Sequence, residues 1–298
     1  MSLSPKDLKF MYIGVDIGGS HITAAQVDLQ KGKIIGSSVT RSKLNPHDSA
    51  ENILNIWVCA IKKASEGVQT FFVGIAMPGP FDYENGICLM QNVNKYEDLY
   101  GLNIKQIFSE RLRIPTENIC FRNDSEAFLE GEMLFGAGRN YKKAIGITIG
   151  TGLGTSIYED HAAKDMAMGI NHPMLTGVAE DYISTRWFVK RYKELTGETI
   201  EGAKFLVENF ERDVFSRQVF AEFSENISLF IGEFTEKFLP EIIIIGGNIA
   251  NASDFFFPAI EKSLAKNEAK ITLVKSCLNE EAALMGAVGL WKEIATKV

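Results

Sequence analysis

Apolar and polar positions divide this chain into short extended segments followed by helices, and the same order then occurs a second time. Alternation marks 11–16, 22–28 and 33–39 as three strands joined by glycine-containing turns. Residues 49–63 place apolar side chains at Ile53, Ile56, Trp57, Ala60 and Ile61, which is helical spacing. The apolar run 71–76 predicts a buried strand ending at Met77-Pro78-Gly79-Pro80. A helix at 103–112, a strand at 118–121 and a helix at 125–135 follow. The pattern restarts with strands at 143–149 and 153–158. Helices are predicted at 178–195, 201–209 and 215–238, then an apolar strand at 241–245. A helix at 254–265, a strand at 271–274 and a helix at 280–295 close the chain. Alternating strands and helices predict α/β layers in both halves.

Two glycine-rich turns occupy matching places in the halves. Asp16-Ile17-Gly18-Gly19-Ser20 lies between the first two strands, and Gly150-Thr151-Gly152-Leu153-Gly154 between the strands at 143–149 and 153–158. Neither is G-x-x-x-x-G-K-[ST], and neither is a G-x-G-x-x-G that opens a helix, so the two common nucleotide folds are not expected. Glycines still let successive N–H groups converge on an anion, and Ser20 and Thr151 add hydroxyls. Each turn alone also fits a plain hairpin. The pairing favours a duplicated unit that holds one polyphosphate from both sides. Asp16 would repel phosphate unless a cation intervenes, which implies Mg²⁺ held through water.

Asn123-Asp124 falls where a strand ends and a helix begins, so a helix cap is the plain reading. The chemical reading makes Asp124 the acceptor of a proton from an attacking hydroxyl, with Asn123 holding a neighbouring hydroxyl. His172 and Glu180 flank the stretch that follows the second turn, and Asn92 sits in Gln91-Asn92-Val93-Asn94. Taken singly, these are ordinary surface and turn residues.

Composition narrows the class. With 298 residues, 46% of them hydrophobic, the chain is large enough for two lobes with separate cores. A formal net charge of -7 with no basic stripe argues against nucleic acid as a partner. No stretch approaches the roughly 18 apolar residues that span a bilayer, and the polar first residues lack a secretory apolar core. A cytoplasmic protein is expected. Cys59, Cys88, Cys120 and Cys277 are scattered without a C-x-x-C pair, as free thiols are, and no cysteine-built zinc site is expected.

Taken together, the motifs resemble the ROK family of bacterial sugar kinases and repressors, from about Tyr12 to Leu290. Asp16–Ser20 looks like its first phosphate motif, with Ser20 in place of the usual Thr. Gly74-Ile75-Ala76-Met77-Pro78-Gly79-Pro80 resembles its G-x-x-x-P-G-P stretch, and Asn92-Val93-Asn94-Lys95-Tyr96 its N-L-x-x-W segment. Asn123-Asp124-Ser125-Glu126-Ala127 is similar to N-D-A-N-A, which carries the catalytic aspartate. Gly150–Gly154 resembles the second phosphate motif, Gly246-Gly247-Asn248 the adenosine-side turn, and 282–287 the closing helix.

The resemblance implies an actin-like, duplicated, two-lobed α/β sugar kinase fold with ATP and Mg²⁺ in an interlobe cleft. The lobes are expected at 1–122, completed by a C-terminal helix at 283–298, and at 123–282. Asp124 would be the base and a hexose or N-acetylhexosamine 6-hydroxyl the nucleophile. Gly79, Asn92, Asn123, Asp124, His172 and Glu180 would contact the sugar, and a homodimer is expected. Two departures bear on the substrate. Family members carry G-E-x-G-H where this chain has Met168-Gly169-Ile170-Asn171-His172, so Gly169 stands for the sugar-binding Glu. Their cysteine-rich zinc loop ends in G-C-x-E, where this chain has Gly177-Val178-Ala179-Glu180. No zinc is therefore expected, and packing by Pro173, Met174 and Leu175 is expected to hold the His172 loop instead. A sugar-sensing protein that has lost catalysis is the alternative. The repressor branch is not expected, because Met1–Met11, the residues before the resemblance begins at Tyr12, are too few for a helix-turn-helix domain.

Overall fold

The computed structural model describes residues 10–265 and 270–292. They divide into two compact units. One takes the chain up to Phe135 and resumes at Glu280; the other is Gly136–Asn279.

In the first unit β1 (Met11–Ile17), β2 (His21–Asp28), β3 (Lys33–Ile34) and β4 (Thr40–Lys43) precede α1 (Ala50–Ala64) and β5 (Phe71–Met77). A small hairpin, β6 (Phe81–Asp82) and β7 (Ile87–Cys88), leads to α2 (Ile104–Leu112), β8 (Ile119–Asn123) and α3 (Asp124–Phe135). The second unit opens with β9 (Ala144–Ile149), β10 (Leu153–Glu159), β11 (Ala162–Asp165), α4 (Met168–Asn171), β12 (Pro173–Met174) and β13 (Gly177–Val178). It continues with α5 (Thr185–Thr196), α6 (Ala203–Asn209), α7 (Val214–Phe238), β14 (Ile242–Gly246), α8 (Phe257–Leu264) and β15 (Thr272–Lys275). Helix α9 (Glu281–Ala287) belongs to the first unit again.

The two sheets repeat one design. The first runs β3-β2-β1-β5-β8, with β4 also on β2, and the second β11-β10-β9-β14-β15. In each, the first long strand pairs antiparallel with the next and parallel with the strand that follows a crossover. Each glycine turn is thus the tip of the hairpin at the middle of its sheet.

Each unit has its own core. In the first, Ile13, Val15, Val73 and Ile75 from the strands meet Trp57, Tyr96 and Phe108. In the second, Phe188, Phe220, Phe223, Phe230, Phe234 and Phe256 are nearly inaccessible. Each such ring contributes about 1.5–3 kcal/mol by leaving water. Side-chain caps start the helices where the sequence places them: Ser49 on α1, Asn103 on α2 and Asp213 on α7.

Helix α9 is seated unusually close to its neighbours. A Cβ at Gly14 of β1 would run into the Leu284 carbonyl, and one at Gly74 of β5 into that of Ala287. On the helix faces, a Cβ at Gly131 of α3 would strike the Ala282 carbonyl, and one at Gly286 of α9 that of Ala127. This packing moves the first boundary from the expected 122/123 to 135/136, because α3 packs on α9 and stays with the first unit. The second boundary lies at 279/280 rather than 282/283. Residues 293–298 of the expected closing helix lie outside the described residues.

Three elements differ from the sequence pattern. The strand expected at 33–39 breaks after Ile34 into a short 3-10 turn, Gly36–Ser38. Ser38 Oγ accepts from Gln26 N at 2.8 Å and donates to Ile35 O at 2.6 Å, taking the place of a ladder bond. The edge resumes as β4 against His21–Ala24. The helix expected at 178–195 begins at Thr185, since Gly177–Val178 pairs with Pro173–Met174 and Ala179–Asp181 forms one tight turn. The closing helix expected at 280–295 is interrupted after Ala287, where Gly289–Trp291 forms a 3-10 turn and Lys292 is helical again.

The close packing of α9 gives a paired test. Gly286→Ala forces backbone apart and should destabilise the first unit by about 1–3 kcal/mol or more. Gly232→Ala in α7 meets nothing within 4 Å and should stabilise by about 0.5–1 kcal/mol. Thermal melts of the two variants should shift in opposite directions.

Candidate functional site

In the first unit the turn after β1 is closed by Gly18 N donating to His21 O at 3.0 Å. Gly19 and Ser20 are exposed, and a Cβ at Gly19 would meet nothing within 4 Å. Among the described residues, neither backbone N–H has a protein acceptor. Two unpaired donors over open space are what an anion requires. The Gly18 carbonyl is tethered from behind by the Tyr96 hydroxyl. Tyr96 is fully buried and packs edge-on against Trp57, with ring centroids 5.3 Å apart. Burial, reinforced by the Asp16 charge, pushes its phenol up, so the hydroxyl stays a donor.

Asp16 is the penultimate residue of β1. Burial, then the Asp124 and Glu280 charges, push its carboxyl up to about 7, against a downward pull from Arg41. Arg41 Nη1 pairs with Glu280 Oε2 at 2.7 Å, and Nη2 lies 2.9 Å from His21 Nε2. Burial and the Arg41 charge hold His21 below its usual range. A neutral ring accepts from Arg41 at Nε2, which leaves Nδ1–H to donate to Ser20 Oγ at 3.2 Å. The Ser20 proton is then available to a ligand.

Asn123 and Asp124 both accept from Ser125 N, at 2.8 Å each, at the start of α3. Asn123 is the cap: buried, its Oδ1 accepts from Ser125 N at 2.8 Å and Ser125 Oγ at 2.7 Å. Its Nδ2 donates one hydrogen to the Tyr83 hydroxyl at 3.2 Å, so its second amide hydrogen has no protein acceptor among the described residues. The same hydroxyl lies 3.3 Å from where a Cβ would stand on Gly79. Asp124 is exposed at the first turn of α3. Asn92 is exposed with φ of 58° and stands apart from these contacts.

In the second unit Gly150 N donates to Gly152 O at 3.0 Å, and the N–H groups of Thr151 and Gly152 have no protein acceptor among the described residues. Glu180 lies against this turn. Its Oε2 accepts from Leu153 N at 2.8 Å, its Oε1 pairs with Arg186, and a Cβ on Gly152 would come within 2.5 Å of Oε2. Glu180 therefore shapes the turn, a role with no local signal in the sequence. Gly247 has φ of 83° and approaches Ile149 too closely for any side chain. That seats Gly246-Gly247-Asn248 beside the same turn.

An open cavity of about 690 Å³ adjoins it, with Thr185, Glu201, Lys204, Asn248 and Asn251 among its polar lining and Val207 and Ile249 apolar. Thr185 N donates to Gly150 O at 2.8 Å, which makes cavity and turn continuous. The α6 side of this cavity was not singled out from the sequence.

His172 follows α4. Its backbone N donates to Met168 O and its carbonyl accepts from Ala179 N, both at 3.0 Å. Its Nε2 lies 2.7 Å from Glu233 Oε2. Of the three residues expected to hold this loop, Met174 alone is buried; Pro173 is exposed, and so is Leu175, at φ of 52°. Met174 packs in the core of the second unit, Pro173–Met174 pair with Gly177–Val178 as the β12–β13 hairpin, and Glu233 adds a contact to the His172 ring. Gly169 has a structural reason: a Cβ there would strike the Leu153 carbonyl, so α4 excludes any side chain at this position.

A family model described as the ROK family matches residues 12–171 and 175–294. The chain belongs to the ROK family. It is 26% identical to the glucokinase of Thermotoga maritima over 96% of this chain and 98% of that protein. It is 25% identical to the N-acetyl-D-glucosamine kinase of Histophilus somni over 94% and 99%. Among solved structures, the ROK glucokinase of Streptomyces griseus, in complex with glucose and AMPPNP, superposes with a TM-score of 0.77. That match has 26% identity and covers 94% of this chain and 98% of the other. The fold of this ROK protein is therefore the actin-like, duplicated α/β fold expected from the sequence. Among the described residues no helix is long and apolar enough to cross a membrane.

Two tests address this geometry in the metal-free protein. Asp16 is an acid whose folded value is raised from 3.8 to about 7, so the folded state binds more protons than the unfolded one across that window. Stability should fall as pH rises from about 4 to 7, and the penalty persists above 7. Asp16→Asn should therefore raise the melting temperature at pH 8 and leave it nearly unchanged at pH 4. Gly169→Glu should lower the melting temperature of the second unit rather than strengthen sugar binding, read by calorimetry on the same samples.

Proposed function

We propose that this ROK-family sugar kinase transfers the terminal phosphoryl group of ATP to the 6-hydroxyl of a hexose or N-acetylhexosamine, with Asp124 as general base. One observation carries the reading. An exposed carboxylate opens α3 in the unit where the Asp16 carboxyl and a turn with unpaired N–H donors lie together, and the Asp124 charge is felt at Asp16. Ser125 N is shared between Asn123 Oδ1 and Asp124 Oδ1, and the exposed Asp124 carboxylate would accept the proton of the attacking hydroxyl. The kinase names of the two relatives support the substrate class.

The residues present fit the nucleotide and its metal. Donors at both turns suit phosphate oxygens, and the cavity beside the second turn, within the usual 300–1,000 Å³ or so of ligand sites, suits a nucleoside. No group of three or more potential metal ligands comes together among the described residues. Mg²⁺ would therefore take one carboxylate, Asp16, through water, with its other positions left to water and phosphate. Bound there, it would neutralise charge on the transferring phosphates. Asp16 would hold its water shell, the turns would orient the phosphates, and His172, Asn123 and Glu180 would contact the sugar. The reading includes a homodimer.

A sugar sensor without turnover is the second reading, favoured by the bonds that occupy both Glu180 oxygens and by the side chain excluded at Gly169.

A coupled assay of ADP release with MgATP and a panel of sugars decides between them. Asp124→Asn should lower kcat by about 10²–10⁴-fold. Its melting temperature should hold, because the amide keeps an acceptor for Ser125 N. If no sugar drives ADP formation above the Asp124→Asn background, the kinase reading is lost. Sugar binding by calorimetry without turnover would select the sensor.

A further inference from the structure

We propose that Glu233 of α7 is a positioning residue that fixes the ring orientation and tautomer of His172, so that Nδ1 faces the sugar as a hydrogen-bond acceptor. The inference rests on the sugar-contact reading of His172. Two side chains one helical turn apart on α7 grip this ring. Glu233 Oε2 lies 2.7 Å from Nε2, and Phe230 packs edge-on with ring centroids 5.6 Å apart. Residues at i and i+3 share one helix face, so one surface sets both the plane of the ring and the direction of its Nε2 edge. The backbone at 172 is pinned from both sides, by Met168 O and Ala179 N.

The chemistry follows from the acceptor. A carboxylate offers no proton, so the proton between Nε2 and Oε2 belongs to the imidazole. A neutral ring with Nε2–H carries its lone pair on Nδ1. Among the described residues Nδ1 has no hydrogen-bond partner, and the side chain keeps 22% of its surface. A partly exposed acceptor whose tautomer and plane are already set accepts from a sugar hydroxyl without first being ordered. Ring-flipped or Nδ1–H states would offer a donor or nothing. The Glu233 side chain is 49% exposed, so the pair contributes little to folding. Its consequence falls on recognition.

The test uses the full chain, with glucose and N-acetylglucosamine as probes. Glu233→Ala should raise the sugar KM by about three- to tenfold with kcat within about twofold. Glu233→Gln keeps an acceptor for Nε2–H and should restore KM. In a His172→Ala background, Glu233→Ala should add nothing further. Imidazole ¹⁵N shifts at pH 8.5 should show the Nε2–H tautomer in the wild type and a mixture in Glu233→Ala. An Nδ1–H wild-type ring overturns the proposal, as does an alanine variant with unchanged tautomer and KM. If the wild type phosphorylates neither sugar, the kinase reading is what fails. The ¹⁵N signature still judges the hold of Glu233 on the ring.

Discussion

Helix α9 lies so close to β1, β5 and α3 that four glycines are needed to admit it, and the first unit is organised around that contact. Gly14 and Gly74 let the strands meet its carbonyls, while Gly131 and Gly286 let two helix backbones nearly touch. The elements locked together are the ones that carry the proposed site of the first unit. β1 delivers Asp16 near its end, α3 begins with Asp124, and Glu280 immediately precedes α9. Their three carboxyls are drawn close enough for two of them to raise the third. Packing without side chains thus gathers negative charge around Asp16, which Arg41, paired with Glu280, offsets in part.

The second unit repeats the sheet but arranges its turn differently. In the first unit a buried phenol, Tyr96, reaches the turn carbonyl at Gly18. In the second a carboxylate, Glu180, reaches the amide at Leu153. The first brace takes a carbonyl, which a phosphate would not use; the second takes one N–H, that of Leu153, and those of Thr151 and Gly152 keep no protein acceptor among the described residues. The brace in the second unit also belongs to the segment whose other end is His172, through Ala179 N and the β12–β13 pair. Glycine at 169 is a requirement of packing, since a Cβ there would strike the Leu153 carbonyl.

What the sequence discloses depends on how local the physics is. The hairpin tips, Asp16, Asp124 and the glycine pair at 246–247 are legible because a turn or a helix start is set by a few consecutive residues. The break at Gly36–Ser38 is less so, because it needs the Ser38 hydroxyl to meet Gln26 from another strand. The delayed start of α5 has a similar cause: residues 177–181 have helix-compatible side chains but spend their backbone on a hairpin and one tight turn. Glu233 and Arg41 carry no local signal at all. Each matters through a partner far along the chain, His172 in one case and Glu280 in the other. Tyr96 lies between these extremes, inside a legible motif but with its role at Gly18 visible only in three dimensions.

The return of the chain to the first unit also bears on how the protein is made. β1, β5 and α3 emerge from the ribosome early, yet the helix that covers their glycine faces is encoded after the whole of Gly136–Asn279. At about 5–20 residues per second, that interval is on the order of ten seconds. The second unit is complete in sequence before the first can close its core. During synthesis the glycine faces of β1, β5 and α3 therefore stay uncovered until the last strand of the second unit and α9 emerge in close succession.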